Sequence, residues 1–317
     1  MSTFESKPVS ERVREAAAWV VERARSVAID EARIPAYAAS LPAAAPAPPD
    51  PGVELLEGDR EARAAFVLCL DAINFGSGWW PTIRKRPGRS GYFTVAAGVT
   101  ERFREEGPWT AAGLVAIEPA AIAAALGQDP GHPLMADFAA TLRDLGAHVE
   151  AEHGGSFAAV IDAAAGSAPA LVDLLAGWDA FADTSTYDGR EVPFFKRAQI
   201  AAADVGRAGL APELRDLDRL TAFADNLVPH VLCLDGLLRL DLALTARIEA
   251  GRLLEHGSPE EVELRAAAVQ AVELLAAARA AGPAPLTPAE IDAALWNRGR
   301  GHRYKSVPRP RCRNTAY

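Results

Sequence analysis

The stretch LTPAEIDAALWNRG, residues 286–299, carries the clearest helix signal in this 317-residue chain. Thr287 stands at an expected N-cap, Pro288 occupies the first helical position, and Glu290 follows the cap by three residues. A threonine cap and a glutamate at this distance form a capping box, and proline is favoured at the first helical position. The preceding stretch RAAAVQAVELLAAARAAG (265–282) is rich in alanine, so the end of the chain is predicted to be helical.

Helical patterns of the same kind occur earlier in the chain. EPAAIAAAL (118–126), HPLMADFAATLRDL (132–145) and PALVDLLAGW (169–178) each have a proline near the first turn. REARAAFVLCLDAINF (60–75) predicts a further helix that ends beside the glycines of GSG (76–78). These patterns predict a chain built mainly of helices with short connections.

The first fifty residues predict one long helix and one loop. Ser10 is expected to cap a helix over residues 11–32, because apolar side chains recur near one face. The residues of that face are Val13, Ala17, Val20, Ala24 and Val27. The Pro/Ala-rich stretch 36–52 is predicted to be a loop, since proline cannot continue a helix.

One stretch favours a strand instead. GRSGYFTVAAGV (88–99) contains Tyr92, Phe93 and Val95, which are residue types enriched in strands. The fold class predicted from the whole pattern is all-α or nearly so: one domain over residues 1–317, an irregular helical array with at most one small β-hairpin.

Composition restricts the function classes. Half of the residues are hydrophobic, yet no apolar run reaches the ~20 residues that span a membrane. The polar start MSTFESK lacks the apolar core of a signal peptide, so a cytoplasmic location is expected. Cys69, Cys233 and Cys312 form no CxxC pair, and the histidines show no ligand spacing. We therefore expect no metal and no disulfide framework.

Positive charge is concentrated in two places, although the net charge is −9. The basic C-terminal segment 298–317 holds seven Lys or Arg and no acid, and residues 84–89 hold four more. The rest of the chain is correspondingly acidic, which argues against stable binding of nucleic acid. Two local basic segments suit a phosphate-sized target better, although solvated basic tails are the alternative.

Four segments depart from the alanine-rich background and hold three of the four lysines. They are DAINFGSGWWPTIRKRPG (71–88), TSTYDGREVPFFKRAQI (184–200), LTAFADNLVPHVLCLDG (220–236) and LWNRGRGHRYKSVPRPRCRNTAY (295–317). In this order they resemble the queuosine salvage protein family, described as queuosine 5′-phosphate N-glycosylase/hydrolase. The resemblance spans about Asp71 to Tyr317 and implies a helical fold similar to that of DNA glycosylases.

The resemblance implies a hydrolase that releases queuine from queuosine 5′-phosphate for salvage into tRNA modification, with no cofactor. Cleaving the N-glycosidic bond builds positive charge at the ribose C1′ and ring oxygen, which a carboxylate can stabilise. Asp225, in LTAFADNLVP, is our candidate for this catalytic role. An ordinary helix-cap or turn aspartate is the alternative for that residue.

Substrate-binding residues are expected in the same segments. Flat bases stack on aromatic rings, for which the candidates are Phe75, Trp79, Trp80, Phe194 and Phe195, with core packing as the alternative. Acceptors for the amine and diol of queuine are Asp71, Asn74 and Asp188, the last of which could instead be a turn residue. Asn226 joins the set, although members of the family often carry Tyr-Arg where this chain has Asn226-Leu227.

The 5′-phosphate needs cations. Lys196 with Arg197 is our first choice and Tyr304 with Lys305 the second. A Schiff-base lysine is less favoured, because simple hydrolysis needs only water and a carboxylate. Three other functions remain open at this stage: a DNA-repair glycosylase, a non-catalytic binder of a modified nucleoside, and a helical scaffold.

Overall fold

The computed structural model describes residues 7–44, 58–280 and 282–317. Their helices and strands in chain order are α1 (Val9–Val21), β1 (Val27–Ile29), α2 (Ile34–Ala39), α3 (Arg60–Ala72), α4 (Gly91–Glu106), α5 (Ala111–Val115), α6 (Pro119–Leu126), α7 (Pro133–His153), α8 (Phe157–Ala163), α9 (Ala168–Ala176), β2 (Thr184–Tyr187), β3 (Arg190–Pro193), α10 (Lys196–Arg207), α11 (Leu227–Leu234), β4 (Leu238–Leu240), α12 (Leu242–Glu249), α13 (Pro259–Ala280), α14 (Pro288–Gly299) and α15 (His302–Lys305). Single 3₁₀ turns occupy Glu31–Arg33, Asp179–Phe181 and Leu217–Arg219.

The nearly all-helical class predicted from the sequence is confirmed. In the described part of the chain, strands form only two antiparallel pairs, β1 with β4 and β2 with β3. The second pair is a small hairpin, whose position the sequence analysis did not predict, and its turn is Asp188-Gly189, with φ of 43° and 78°. Positive φ at both positions is the geometry that favours Asp-Gly in two-residue hairpin turns. No helix among these residues is long and apolar enough to cross a membrane.

The strand predicted over 88–99 is wrong, because this stretch begins α4. The Ser90 side chain accepts a hydrogen bond from the Phe93 amide at 3.4 Å and so caps the helix. Phe93 and Val95 are both buried, on different sides of α4 rather than on a pleated surface. A serine cap followed by apolar residues at helical spacing outweighed the strand preference of single residues.

The long N-terminal helix is also shorter than predicted. Helix α1 starts one residue before Ser10, with Pro8 at the N-cap position, and ends at Val21. Val27 lies in β1, opposite Leu240, a partner that no local pattern reveals. Helix α2 reaches Ala39 and so enters the predicted loop 36–52, of which residues 45–52 lie outside the described residues.

The chain divides into two compact units. The described part of the first consists of residues 7–44, 183–196, 218–280 and 282–313, and that of the second of residues 58–182, 197–217 and 314–317. The single domain and the likeness to DNA glycosylases stay predictions.

Helix α13 is the central element of the first unit, where it packs against α1, α2, α11 and α14. Its buried residues cover more than one face, as expected of an interior helix. It also buries a carboxylate, Glu263, whose Oε2 accepts from the backbone amides of Arg25, Ser26 and Val27 at 2.7–3.1 Å. Those bonds fix the start of β1 on α13.

Helix α7 is the central element of the second unit and contacts α5, α6, α3 and α8. Gly146 lets α7 approach α5 closely. A Cβ at that position would lie 2.7 Å from the Ala111 carbonyl oxygen and 2.7 Å from Leu114 Cβ. The missing side chain is therefore a packing requirement.

We predict that Gly146→Ala lowers the free energy of unfolding by about 1–3 kcal/mol, the usual penalty of overpacking. Alanine alone would favour a helix by ~1 kcal/mol over glycine, so the sign of the change separates packing from propensity. Equilibrium urea unfolding measures it. The control is Ala147→Gly at the exposed neighbouring position, where only the loss of propensity is expected. A stabilised Gly146→Ala protein would contradict the close approach.

Candidate active site

A buried ion pair in the first unit connects three parts of the chain. Arg265 on α13 donates from Nη1 and Nη2 to the two carboxylate oxygens of Asp183, at 2.8 and 2.7 Å. Both side chains are at most 1% exposed. Arg265 Nε also donates to the Ala224 carbonyl at 2.9 Å, and the guanidinium lies 4.0 Å from the ring centre of Phe194. The arginine thereby fixes the residue that precedes Asp225.

Asp183 also shapes the turn that leads into α10. Its carbonyl accepts from the amides of Phe194 and Phe195 at 3.0 and 3.3 Å, and its carboxylate accepts from the Lys196 amide at 2.9 Å. Phe195 has a φ of 47°, which is uncommon for a residue with a bulky side chain. Three bonds to one aspartate hold this strained residue in place, and so determine where the buried Lys196 side chain starts.

Asp225 lies half-buried at the start of α11. Its Oδ1 accepts from the amides of Leu227 and Val228 at 2.8 and 2.9 Å. The helix-cap alternative considered for this residue is therefore present in the structure. It does not compete with a chemical role, because both bonds use one oxygen of the carboxylate and fix its orientation.

A second carboxyl group, Asp292 on α14, belongs to the same cluster. It is 4% exposed, and its Oδ1 accepts from the Phe223 amide at 3.0 Å. Burial and the negative charge of Asp225 raise the Asp292 pKa well above its usual value, whereas the Phe223 amide and the charge of Lys196 act in the opposite direction. The sequence analysis missed Asp292, although an acid between the apolar residues of a capped helix was a usable signal.

Asp225, Asp292 and Lys196 thus form a cluster of two carboxyl groups and one cation. The environment favours the protonated form of Asp292. Two carboxyl groups whose surroundings differ can divide the roles of proton donor and charged base. The cluster can therefore stabilise a cation and transfer a proton.

The other predicted site residues of the first unit have structural contacts. Asp188 forms an exposed ion pair with Arg25 at 2.8 Å. The Asn226 side chain donates to the Pro310 carbonyl at 2.8 Å. The Tyr304 hydroxyl donates to Asp235 at 2.8 Å, and Lys305 is exposed.

The remaining predicted residues belong to the second unit. Arg197 is fully buried and donates to the carbonyls of Ala72, Ala180 and Ala316. Its guanidinium lies 5.1 Å from the ring centre of Phe75, so it ties the end of α3 to the start of α10.

The acid and the tryptophans of the 71–88 segment also lie in the second unit. Asp71 is 1% exposed in the last turn of α3 and its carbonyl accepts from the Asn74 amide. Trp79 is buried, and half-buried Trp80 lies over Gly91, where a Cβ would come within 2.4 Å of the indole. Tryptophan packing therefore explains the glycine at position 91.

No group of three or more His, Cys, Asp or Glu side chains with a metal-binding arrangement occurs in residues 7–44, 58–280 and 282–317. The cluster of Asp225, Asp292 and Lys196 instead has the composition used by hydrolases that cleave glycosidic bonds with carboxyl groups.

Comparison with known proteins identifies the family of this chain. The profile of the Queuosine salvage protein family matches residues 55–317. A queuosine 5′-phosphate N-glycosylase/hydrolase of Sphaerobacter thermophilus is 36% identical over 94% of this chain and 95% of its own length. The mouse protein of the same name is 28% identical over 94% of this chain and 97% of its own length. This chain belongs to the Queuosine salvage protein family.

We predict that Asp183→Asn lowers the free energy of unfolding by about 3–5 kcal/mol, because it leaves the buried charge of Arg265 without its partner. Equilibrium urea unfolding measures the change. Asp162→Asn is the matched control, since Asp162 pairs with Arg60 at 2.6 Å on the exposed surface and such pairs contribute about 0–1 kcal/mol. Similar losses in both variants would contradict the importance of burial.

We predict that Asp292→Asn raises the thermal midpoint at neutral pH. The folded pKa of Asp292 is raised, so ionisation opposes folding once the pH exceeds the unfolded value of ~3.9. The gain from asparagine should therefore be absent at low pH and grow as the pH rises through the folded pKa. Midpoints between acidic and neutral pH measure the trend.

The control for this pH dependence is Asp241→Asn. The Leu244 amide lowers the pKa of Asp241, the N-cap of α12. Its stabilising charge is fully present above the unfolded pKa, so the loss in Asp241→Asn should be constant towards neutral pH and disappear only as the pH falls through the lowered folded pKa. If both variants shifted in the same direction, the assignment of a raised pKa to Asp292 would be wrong.

Proposed function

We propose that this protein hydrolyses the N-glycosidic bond of queuosine 5′-phosphate and releases queuine for reuse in tRNA modification. Family membership and the names of the relatives support the substrate and the reaction. The observation in the structure that supports it best is the pairing of Asp225 with buried Asp292. That pair supplies the two carboxyl groups that hydrolysis of a glycosidic bond requires.

In this proposal Asp225 is the charged carboxylate beside C1′. It stabilises the positive charge that develops on the ribose and accepts a proton from the attacking water. The water oxygen bonds to C1′ while the bond from C1′ to the base nitrogen breaks, and the electron pair of that bond stays with the base. A fixed carboxylate suits the role, because the α11 amides already orient it.

Asp292 is proposed to deliver the proton that the departing base needs. Queuine is a 7-deazapurine and lacks the ring nitrogen at which purines are usually protonated, so the proton must reach another edge. The raised pKa of Asp292 supports a role as proton donor at neutral pH. Lys196, whose positive charge lowers the pKa of Asp292, is proposed to balance the negative charge of the cluster.

Base stacking by Phe75, Trp79, Trp80, Phe194 and Phe195, and recognition of polar groups by Asp71, Asn74 and Asp188, stay predictions. We further propose a cytoplasmic protein that acts on a small nucleotide without a stable nucleic-acid or membrane partner. The acidic balance of the chain outside its basic segments supports that part of the proposal.

The proposal is tested by turnover. We expect free queuine from queuosine 5′-phosphate by mass spectrometry, and a loss in kcat of at least ~10²-fold in Asp225→Asn and in Asp292→Asn. Asp241→Asn removes a carboxylate outside the cluster and should keep the wild-type rate.

Two outcomes would contradict the proposal in different ways. No queuine from well-folded wild-type protein would reject the hydrolase function. Release that persists in Asp225→Asn and Asp292→Asn would keep the reaction but reject this pair of residues. Tight binding of the nucleotide without turnover would identify a binding protein instead.

A further inference from the structure

Two arginines near the end of the first unit lie beside the catalytic cluster. Arg309 and Arg311 are both half-buried. The Asn226 side chain donates to the carbonyl of Pro310, which lies between them in the chain, at 2.8 Å. The Leu254 amide donates to the Arg311 carbonyl at 2.8 Å. The backbone of this segment is thus attached at two points, one of them the residue that follows Asp225.

The charges of this segment act on the start of α11. Asp225 favours the charged form of Arg309, whereas Arg311 disfavours it. Both arginines disfavour a positive charge on His230, in the first turn of α11. Such effects fall off with distance, so both guanidinium groups lie near the first turn that Asp225 caps. Burial lowers the pKa of both arginines.

These two arginines lack the carboxylate partners that their neighbours have. Arg298 and Arg303 form ion pairs with Asp235 at 3.0 and 3.4 Å. Within residues 7–44, 58–280 and 282–317, no acid forms an ion pair with Arg309 or Arg311, and the buried Nε of Arg311 has no hydrogen-bond partner. Two adjacent, partly desolvated cations are costly unless an anion neutralises them.

The charge balance of the cluster indicates which anion fits. Three positive charges lie in this region, because Lys196 acts on Asp292, Arg309 interacts with Asp225, and Arg311 acts on Arg309. The surroundings of Asp292 favour its neutral form, so Asp225 is the one carboxylate set against them. The surplus matches a phosphate monoester, which carries about −1.5 to −2 at pH 7. Guanidinium groups also present paired donors that match phosphate oxygens.

We propose that Arg309 and Arg311 bind the 5′-phosphate of the substrate and make the enzyme selective for the nucleotide over the nucleoside. The inference rests on the proposed function, because it assigns one part of the same substrate. The sequence favoured Lys196 and Arg197 as the main phosphate contact. This role is now assigned to Arg309 and Arg311. Lys196 then balances the charge of the carboxyl groups, and Arg197 stabilises the packing of the second unit.

Arg309 has one competing role, as the counterion of Asp225. The two roles differ in their kinetic effect. A phosphate contact acts only on a substrate that has a phosphate, whereas a counterion of Asp225 affects every substrate. Binding energy from a remote phosphate also lowers the barrier of the chemical step, so the comparison must use kcat/KM for both substrates.

The experiment measures kcat/KM for queuosine 5′-phosphate and for queuosine in wild type, Arg309→Gln, Arg311→Gln and the double variant. We expect each single change to lower kcat/KM for the nucleotide about 10- to 100-fold, as for a lost hydrogen bond to a charged group. The value for queuosine should change less than about threefold. Arg252→Gln removes an exposed charge of the same unit and should alter neither value.

Equal losses on both substrates would overturn the proposal in favour of a counterion role, and unchanged values on both would overturn it outright. A thermal-shift titration with ribose 5-phosphate, with ribose as the control, separates this inference from the hydrolase function. Ribose 5-phosphate should raise the midpoint of wild type but not of the double variant, even if wild type releases no queuine. The absence of that shift in wild type would reject the arginine site.

Discussion

The buried ion pair between Asp183 and Arg265 fixes the main chain beside the cluster of Asp225, Asp292 and Lys196. Taking two charges out of water is unfavourable, and such a pair persists only where the remaining donors and acceptors find partners. Here they do, because Asp183 also accepts from the Lys196 amide and Arg265 also donates to the Ala224 carbonyl. The first of these bonds holds the main chain of Lys196, and the second holds the residue that precedes Asp225.

The same pair explains how a lysine and a carboxylate from distant parts of the sequence are oriented together. Lys196 follows a residue with a φ of 47°, and Asp225 precedes a helix whose amides it caps. The cap at Asp225 is a local contact, whereas the positive φ of Phe195 would not be selected by local sequence alone. Asp183 fixes the chain before Lys196, and Arg265 fixes the carbonyl of the residue before Asp225. Main-chain hydrogen bonds therefore preorganise the cluster.

Sequence predicted those parts of the fold that local signals decide. The capping box at Thr287 and Glu290 lies where expected, and alanine-rich stretches form helices. Asp225 and Lys196 were chosen through family resemblance, and the structure brings them to one cluster. Local signals failed where a distant partner decides, as for Val27 opposite Leu240.

Residues were missed when their surroundings, rather than their type, make them unusual. Asp292 looks like any acid on a helix until its burial is known. Arg309 and Arg311 look like the rest of a basic tail, because the sequence cannot tell which of its arginines already have a carboxylate. Burial and pairing are properties of the folded chain, so no count of charges reveals them.

In the first unit, the N-terminal elements pack against elements that are synthesised much later. Helix α1 packs against α13, and β1 pairs with β4, although more than two hundred residues separate each from its partner. While the intervening residues are being made, at roughly 5–20 per second, helix α1 lacks its main packing partner α13. The packing of α1 is therefore completed only after a delay of ten seconds or more, on the order of the synthesis time of the intervening chain.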